Sequence, residues 1–523
     1  MLGKTLADIY DRCCQYYRDR TAIVFGDQRL TFGELERWGR RLAHALKDQG
    51  FKKGDRLAVL APNCPEILFI DYATSRLGVG IVPLAAYLQS QDLLFMIEET
   101  EARALLYHSA MKGVVEKVKK GVSKLETIIC LAPNGQVPEG ETGFHELMEA
   151  GSSEPFPSEA TQDDLWCIIY TGGTTGAPKG VAHSHRTILA TAVMELLDFG
   201  IGYHEVFLAA TPLTHASRAL AYPVYMRGGC CVIASGFSPA GFLDLIQKER
   251  VTCAFVVPTM IYALLDFPQL KDYDTSSLKN VIYGAAAIAP ERLKEAVRTF
   301  GPVFTQLFGQ VEAPMALTAF PKNEHLIEGD EKTLARLASC GRPTLAAQLR
   351  LVDENMRDVP LGEAGEIMVK SPNMMLGYWK RPAITAETIT DGWLHTGDIG
   401  RQDEDGYLYI VDRKKDMIVS GGFNVFPKEI EDALHEHPAV AMAAVIGVPD
   451  EKWGEAVKAL IKLKPDQPAS AEEIIGFCKS RKGSLMTPKS VDFVDSIPLT
   501  PLGKPDKKAI RQKYWAGQAR QVG

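Results

Sequence analysis

The chain has 523 residues, 46% hydrophobic and 24% charged, which is long enough for at least two domains and ordinary for a globular protein. Its 58 Lys+Arg against 65 Asp+Glu leave a net charge of −7 with no long basic run, which argues against a nucleic-acid partner. No apolar stretch approaches the ~20 residues that cross a bilayer, and the charged N-terminal residues lack a signal-peptide core, so no integral membrane segment and a cytoplasmic location are expected.

The first element is a helix from Thr31 to Gly50. Thr31 and Glu34 form a capping-box pattern, Phe32, Leu35, Trp38, Leu42, Ala45 and Leu46 recur on one face, and Gly50 stops it. The apolar run Arg56–Ala61, ended by Pro62 and Asn63, reads as a buried strand. Strands are predicted again at Leu165–Tyr170, Thr252–Val257 and Asn280–Tyr283, and a helix over Pro290–Phe300 has proline at its start and Gly301 after it. Strands separated by helices imply an α/β architecture, with helices packed on parallel sheets. From about Gly341 the segments Ala346–Asp353, Gly365–Lys370 and Gly406–Val411 are short strands with turns between them, an antiparallel or barrel-like piece. The charged stretch Arg413–Asp416 then precedes a last segment with its own strand–helix alternation, so the expected domains are 1–414 and 415–523. Ten cysteines include the neighbours Cys13/Cys14 and Cys230/Cys231 but no CxxC pair, which argues against a zinc site and for reduced thiols.

The most informative stretch is YTGGTTGAPKG, from Tyr170 to Gly180, between an apolar strand and a helix-like run near His185. Thr171, Gly172, Gly173, Thr174, Thr175 and Gly176 can turn backbone N–H groups and hydroxyls around a polyphosphate, because glycine admits positive φ and close approach. Lys179 adds a mobile positive charge at the phosphate end. This is not a Walker A loop, since Ala177 and Pro178 separate Gly176 from Lys179 and Gly180 replaces the Ser/Thr after the lysine. GxGxxG spacing is absent as well, and as a bare loop a surface turn stays open.

With this string the chain resembles the adenylate-forming superfamily, which holds acyl- and aryl-CoA synthetases, luciferases and peptide-synthetase adenylation domains. Further motifs follow in the family's order and cover nearly the whole chain. The resemblance implies a large N-terminal domain of parallel-sheet α/β subdomains plus a distorted β-barrel, and a smaller mobile α+β C-terminal domain. It places Gly284, Ala285 and Ala286 against adenine, with Phe308, beside Gly309, stacking on it. Glu312 is implied to hold the Mg²⁺ that bridges the ATP phosphates; a hard cation prefers carboxylate oxygen. Val311 departs from the family's threonine, so one hydroxyl contact to the α-phosphate is missing. Asp398, in WLHTGD, and Arg413 are implied at the ribose, and Lys415 at the hinge between domains. Gly421, Gly422 and Phe423 fall in the loop that lines the CoA pantetheine tunnel in relatives. Lys504, in PLTPLGK, is implied to contact the substrate carboxylate and the α-phosphate.

His215, in PLTH, is implied beside the acyl site, with Tyr222, Tyr283, Ala286 and Met315 as further pocket candidates. Arg218 stands where the family often has glycine; it either pairs with a second acid group on the substrate, or points to solvent or pairs internally. The expected function is an AMP-forming acid–CoA ligase, an acid–thiol ligase that makes an acyl-adenylate from ATP, releases pyrophosphate and passes the acyl group to CoA. Its partners are a small-molecule carboxylic acid, ATP and CoA, with a homodimer left open. The expected acid is aromatic or medium-chain, with a second anionic group if Arg218 reads one.

Overall fold

The computed structural model describes residues 4–86, 88–122, 125–133, 136–171, 178–420, 423–450, 452–465, 467–499 and 505–515. The chain packs as two compact units, one gathering Met1–Gly173, Ala177–Gln348 and Val369–Leu394, the other Leu349–Met368 and His395–Gly523. The fold is mixed α/β, as the alternation predicts.

Two sheets carry the first unit. In one, Phe304–Gln310, Asn280–Tyr283, Cys253–Val256, Val206–Ala209, Cys230–Ile233 and Thr21–Phe25 lie side by side in that order and run parallel. Ala313–Phe320 and Gln28–Thr31 flank them antiparallel. In the other, Leu165–Thr171, Gly80–Leu84, Arg56–Leu60, Ala104–His108 and Thr127–Leu131 are parallel. Cys253–Val256 and Asn280–Tyr283 are buried at every position, which is why they read as unbroken runs rather than as an alternation. The helix Phe32–Asp48 starts as the capping box requires: Thr31 Oγ1 accepts the Glu34 N–H at 3.1 Å and Glu34 returns a carboxylate to the Thr31 N–H at 2.8 Å. The helix Glu66–Leu77 is buried from Ile67 onward, so its Asp71 has to find partners inside the protein.

One difference matters for the site. The loop after Leu165–Thr171 leads into a further strand, Lys179–Ser184, antiparallel to the first, before the helix His185–Asp198. Lys179 is therefore a strand residue, and antiparallel strands flank the phosphate-loop candidates. The short polar-ended run KGVAHS carries no period-2 signal that would have revealed it.

In the second unit Leu408–Arg413 pairs antiparallel with Trp393–Gln402, beside the short strands Gln348–Val352 and Gly365–Lys370, a curled sheet of the expected kind. A 3₁₀ turn, Lys414–Asp416, leads on to Ile418–Ser420, which joins Phe423–Val425, Gly454–Leu463 and Val440–Asp450 in an antiparallel sheet. Ile418, Val425, Val445, Val457 and Ile461 pack there against Ile430 and Leu434 of Pro427–His435 and Ile474 of Ala471–Lys482. A terminal helix, Lys507–Trp515, buries Ile510. All ten cysteines are free; nine are buried, and burial pushes the Cys13 and Cys230 thiols up to about 12. Among the described residues no helix is long and apolar enough to cross a membrane.

Candidate active site

Strand pairing brings Thr171 opposite Lys179, with the Thr171 hydroxyl 3.5 Å from the Lys179 carbonyl. Gly172, Gly173, Thr174, Thr175 and Gly176 lie outside the described residues. Lys179 lies with its Nζ 5.1 Å from the ring centroid of Tyr378, a cation–π distance. Tyr378 belongs to the two-residue strand Gly377–Tyr378, which pairs with Ala182 and Val181 of the lysine's own strand. Its hydroxyl donates to Glu312 Oε1 at 2.8 Å, while the Met375 N–H holds the Glu312 carbonyl at 2.8 Å. Burial and the neighbouring Glu312 carboxylate push the Tyr378 phenol well above its ordinary range, so it donates as a neutral group. One ring thus connects the lysine and the acid, which are far apart in sequence. Tyr378 was not legible in the sequence, where GYW carries no spacing that points to either partner.

The adenine candidates sit where the strand Asn280–Tyr283 ends. A Cβ on Gly284 would lie 2.7 Å from the Leu307 carbonyl oxygen, so only glycine lets the two strands approach this closely. Ala285 follows at φ 64°, in the left-handed region, and is exposed, while Ala286 is half-buried. Phe308 is buried in Phe304–Gln310, and a Cβ on Gly309 would meet the Met315 backbone nitrogen at 2.5 Å. Met315 itself holds φ 62°. Left-handed backbone at non-glycine residues costs about 1–3 kcal/mol, and such strain gathers at ligand sites. Two such residues stand here at segments the resemblance assigns to adenine and acid.

Val311, the residue that departs from the family pattern, is braced from below. His183 Nε2–H donates to its carbonyl at 2.7 Å, and His183 Nδ1 lies 3.2 Å from Thr187 Oγ1. Burial takes the His183 pKa down to about 4, so the ring is neutral and the carbonyl fixes its tautomer. Nothing in the sequence marked His183 for this place.

His215 caps the helix Ala216–Met226 and holds Thr214 Oγ1 at 2.9 Å through Nδ1. Burial, then the nearby Arg218 charge, lower its pKa, so it is a neutral imidazole at pH 7. Arg218 and Tyr222 lie on the same helix and are both buried. Arg218 is 2% exposed, its Nη1 is 3.7 Å from Asp71 Oδ1, and its guanidinium carbon is 4.6 Å from the Trp166 ring centroid. Tyr222 donates its hydroxyl to Asp71 Oδ2, joined by Tyr10 at 3.2 Å, and Trp166 Nε1 approaches Oδ1 at 3.4 Å. Asp71, one of the two acids of the helix Glu66–Leu77, thus pairs with Arg218 inside the protein, while Arg218 Nη2 is buried without a hydrogen bond among the described residues. Tyr283 is likewise internal: fully buried, with its hydroxyl between Gln306 Oε1 at 3.1 Å and His325 Nε2 at 2.9 Å.

In the second unit, Asp398 and Arg413 face each other across paired strands, and Arg413 Nε lies 2.6 Å from Asp398 Oδ1. The two ribose candidates are thus neighbours. Lys415 sits in the 3₁₀ turn, and burial, its largest influence, lowers its pKa. Phe423 is 59% exposed at the start of Phe423–Val425; Gly421, Gly422 and Lys504 lie outside the described residues. Among the described residues no three acids, histidines or cysteines gather into a metal cage.

Comparisons with known proteins agree with this geometry. The family model for AMP-binding enzymes matches residues 10–379, and that for the AMP-binding enzyme C-terminal domain matches residues 429–504. The chain is 42% identical over 519 residues to a medium/long-chain-fatty-acid–CoA ligase of Mycobacterium tuberculosis, covering 97% of this chain and 90% of the relative. It is 35% identical over 498 residues to a feruloyl-CoA synthase of an Amycolatopsis species, covering 94% and 96%. Among solved structures it resembles an amide bond synthetase of Marinactinospora thermotolerans, with a TM-score of 0.87, 30% identity and coverage of 97% and 99%. The match over both family models and the 42% identity to an acyl-CoA ligase over nearly the whole chain make this protein a member of the AMP-binding enzyme family, the adenylate-forming superfamily, in its AMP-forming acyl-CoA synthetase branch.

Proposed function

We propose that this acyl-CoA synthetase activates a medium-chain or aromatic monocarboxylic acid, with Lys179, Glu312 and Lys504 as its catalytic charges. The observation that carries the reading is the convergence of Lys179 and Glu312 on Tyr378 beside the strands that flank the phosphate-loop candidates. A carboxylate is a poor electrophile, because its leaving group would be oxide. Attack of its oxygen on the α-phosphorus of ATP expels pyrophosphate and turns that oxygen into part of a good leaving group, AMP. Two anions have to meet, so cations held in place around the phosphoryl oxygens lower the barrier, and no general base is needed. Lys179 serves the pyrophosphate side and Lys504 the carboxylate and α-phosphate; Mg²⁺, taken by Glu312, would supply further charge neutralisation. Tyr378 keeps Glu312 oriented. Asp398 and Arg413 receive the ribose hydroxyls, and the segment from 415 onward pivots at Lys415 so that Phe423 and its loop meet CoA.

The acid assignment is supported by the ion pair of Arg218 with Asp71, which engages part of the guanidinium, and by the two relatives, one named for medium and long fatty acids and one for an aromatic acid. Pyrophosphate release is to be measured with ATP and a panel of acids, with CoA, with an amine, and with neither acceptor. Medium-chain or aromatic monocarboxylates should give adenylate in all cases and thioester with CoA. Glu312→Gln should slow adenylation by roughly 10²–10³, the usual effect of losing one such charge. Release with no acid of the panel, or amide rather than thioester as the favoured product, would replace this reading.

A further inference from the structure

Of the four cations on the terminal helix Lys507–Trp515, Lys507 and Arg511 are four residues apart and so on one face. Both reach toward the turn Lys414–Asp416. Lys507 Nζ lies 3.0 Å from Glu431 Oε1 on Pro427–His435, with Asp412 and Asp416 also in its field. Arg511 Nη2 lies 2.6 Å from Asp416 Oδ1, and its Nη1 donates to the Lys415 carbonyl at 3.5 Å. Both side chains of that pair are largely shielded, at 21% and 14% exposure, so solvent screens the contact less than a surface ion pair.

We propose that Arg511 is a positioning residue that fixes the peptide plane between Lys415 and Asp416 to the terminal helix and thereby confines the pivot to the backbone torsions of Lys415 and the residue before it. The inference rests on Lys415 as the pivot. The guanidinium grips both sides of one peptide unit, the carbonyl of Lys415 and the side chain of Asp416, so that unit moves with the helix as one body. Rotation has then to occur N-terminal to it. Without Arg511 the rotation spreads over more torsions, and the lobe samples more orientations. Adenylation tolerates this best, because its orientation is held by attraction between a lysine and two anionic substrates. Transfer to CoA requires the incoming thiol to line up with the acyl carbon and depends on the pivot for that alignment.

The test compares adenylate formation, followed by pyrophosphate release, with transfer to CoA from supplied acyl-adenylate, in wild type, Arg511→Ala, Arg511→Lys, Asp416→Asn and the double variant Arg511→Ala/Asp416→Asn. Transfer is expected to fall about tenfold in Arg511→Ala and in Asp416→Asn, with adenylation within about threefold, Arg511→Lys in between, and the double variant no worse than either single. Backbone amide exchange over 414–417 should rise in Arg511→Ala while that of Pro427–His435 stays put. An unchanged ratio of the two half-reactions, or an equal fall in both with a lower Tm, overturns the proposal and leaves Arg511 a packing residue. If wild type releases no pyrophosphate with any acid, the functional reading is what has failed, and amide exchange at the turn alone then decides whether the clamp exists.

Discussion

At the scale of single residues, burial separates side chains that are available for chemistry from those that hold the protein together. Arg218 shows the difference: by sequence it sits beside an acyl segment, yet its charge is balanced by Asp71 and its flat face by Trp166. Arg218→Ala would leave the Asp71 carboxylate buried opposite two tyrosine hydroxyls with no cation. Removing one partner of a buried pair costs about 3–5 kcal/mol, so a marked fall in Tm is expected. The ratio of kcat/KM for a monocarboxylic acid and its dicarboxylic analogue should be unaffected. A change in that ratio, measured on folded variant, would return Arg218 to the acyl pocket. The partnership was not legible in the sequence, because Asp71 and Arg218 belong to helices that meet only when the two sheets have packed. Lys179 and Glu312 were singled out by their motifs, whereas Tyr378, which holds Glu312, and His183, which holds the Val311 carbonyl, lie in ordinary-looking strands. Motifs single out candidate groups; the side chains that brace them are chosen by packing.

At the scale of elements, local signals were read well and long-range ones poorly. The capping box at Thr31 and Glu34 is closed within four residues, so composition and spacing suffice, and the buried parallel strands announce themselves by unbroken apolar runs. The strand Lys179–Ser184 was missed because its pairing, not its composition, makes it a strand. The charged stretch Arg413–Asp416 was read as a domain boundary with Lys415 at its hinge, and the structure gives Lys414–Asp416 3₁₀ geometry between two strands. Proline at its middle position fixes φ and removes an N–H. Lys415→Pro should therefore leave adenylate formation near the wild-type rate and slow transfer to CoA by about tenfold or more. Single-turnover assays of the two steps separate these effects. Wild-type transfer in the variant would mean that the lobe pivots elsewhere or not at all.

At the scale of the whole molecule, buried neutral histidines tie stability to pH. Burial takes His183, His185 and His325 to about 4, below the ~6.5 expected of the unfolded chain. A depressed histidine pKa means that the unfolded state binds the proton first, so the stability is complete above pH ~6.5 and is lost as pH falls toward 4. Glu195, whose carboxyl burial holds well above the ordinary range, works in the opposite sense, as do Asp198, Asp412 and Glu431. A difference measurement isolates one group. His183→Asn should remove up to about 1.4 kcal/mol per pH unit from the slope of unfolding free energy between pH ~6 and ~4.5, and nothing above pH 7. Parallel slopes for the two proteins in denaturant titrations would show that His183 is protonated in the native state. The burial of the cysteines has a consequence of another kind. An acyl-adenylate is a mixed anhydride that any nearby thiolate can capture, and a synthetase that makes thioesters has to keep its own sulfur out of that competition. Here nine of the ten thiols are buried and burial raises the tenth, Cys230, to about 12, so the chain's own sulfur competes little with the thiol that arrives from solution.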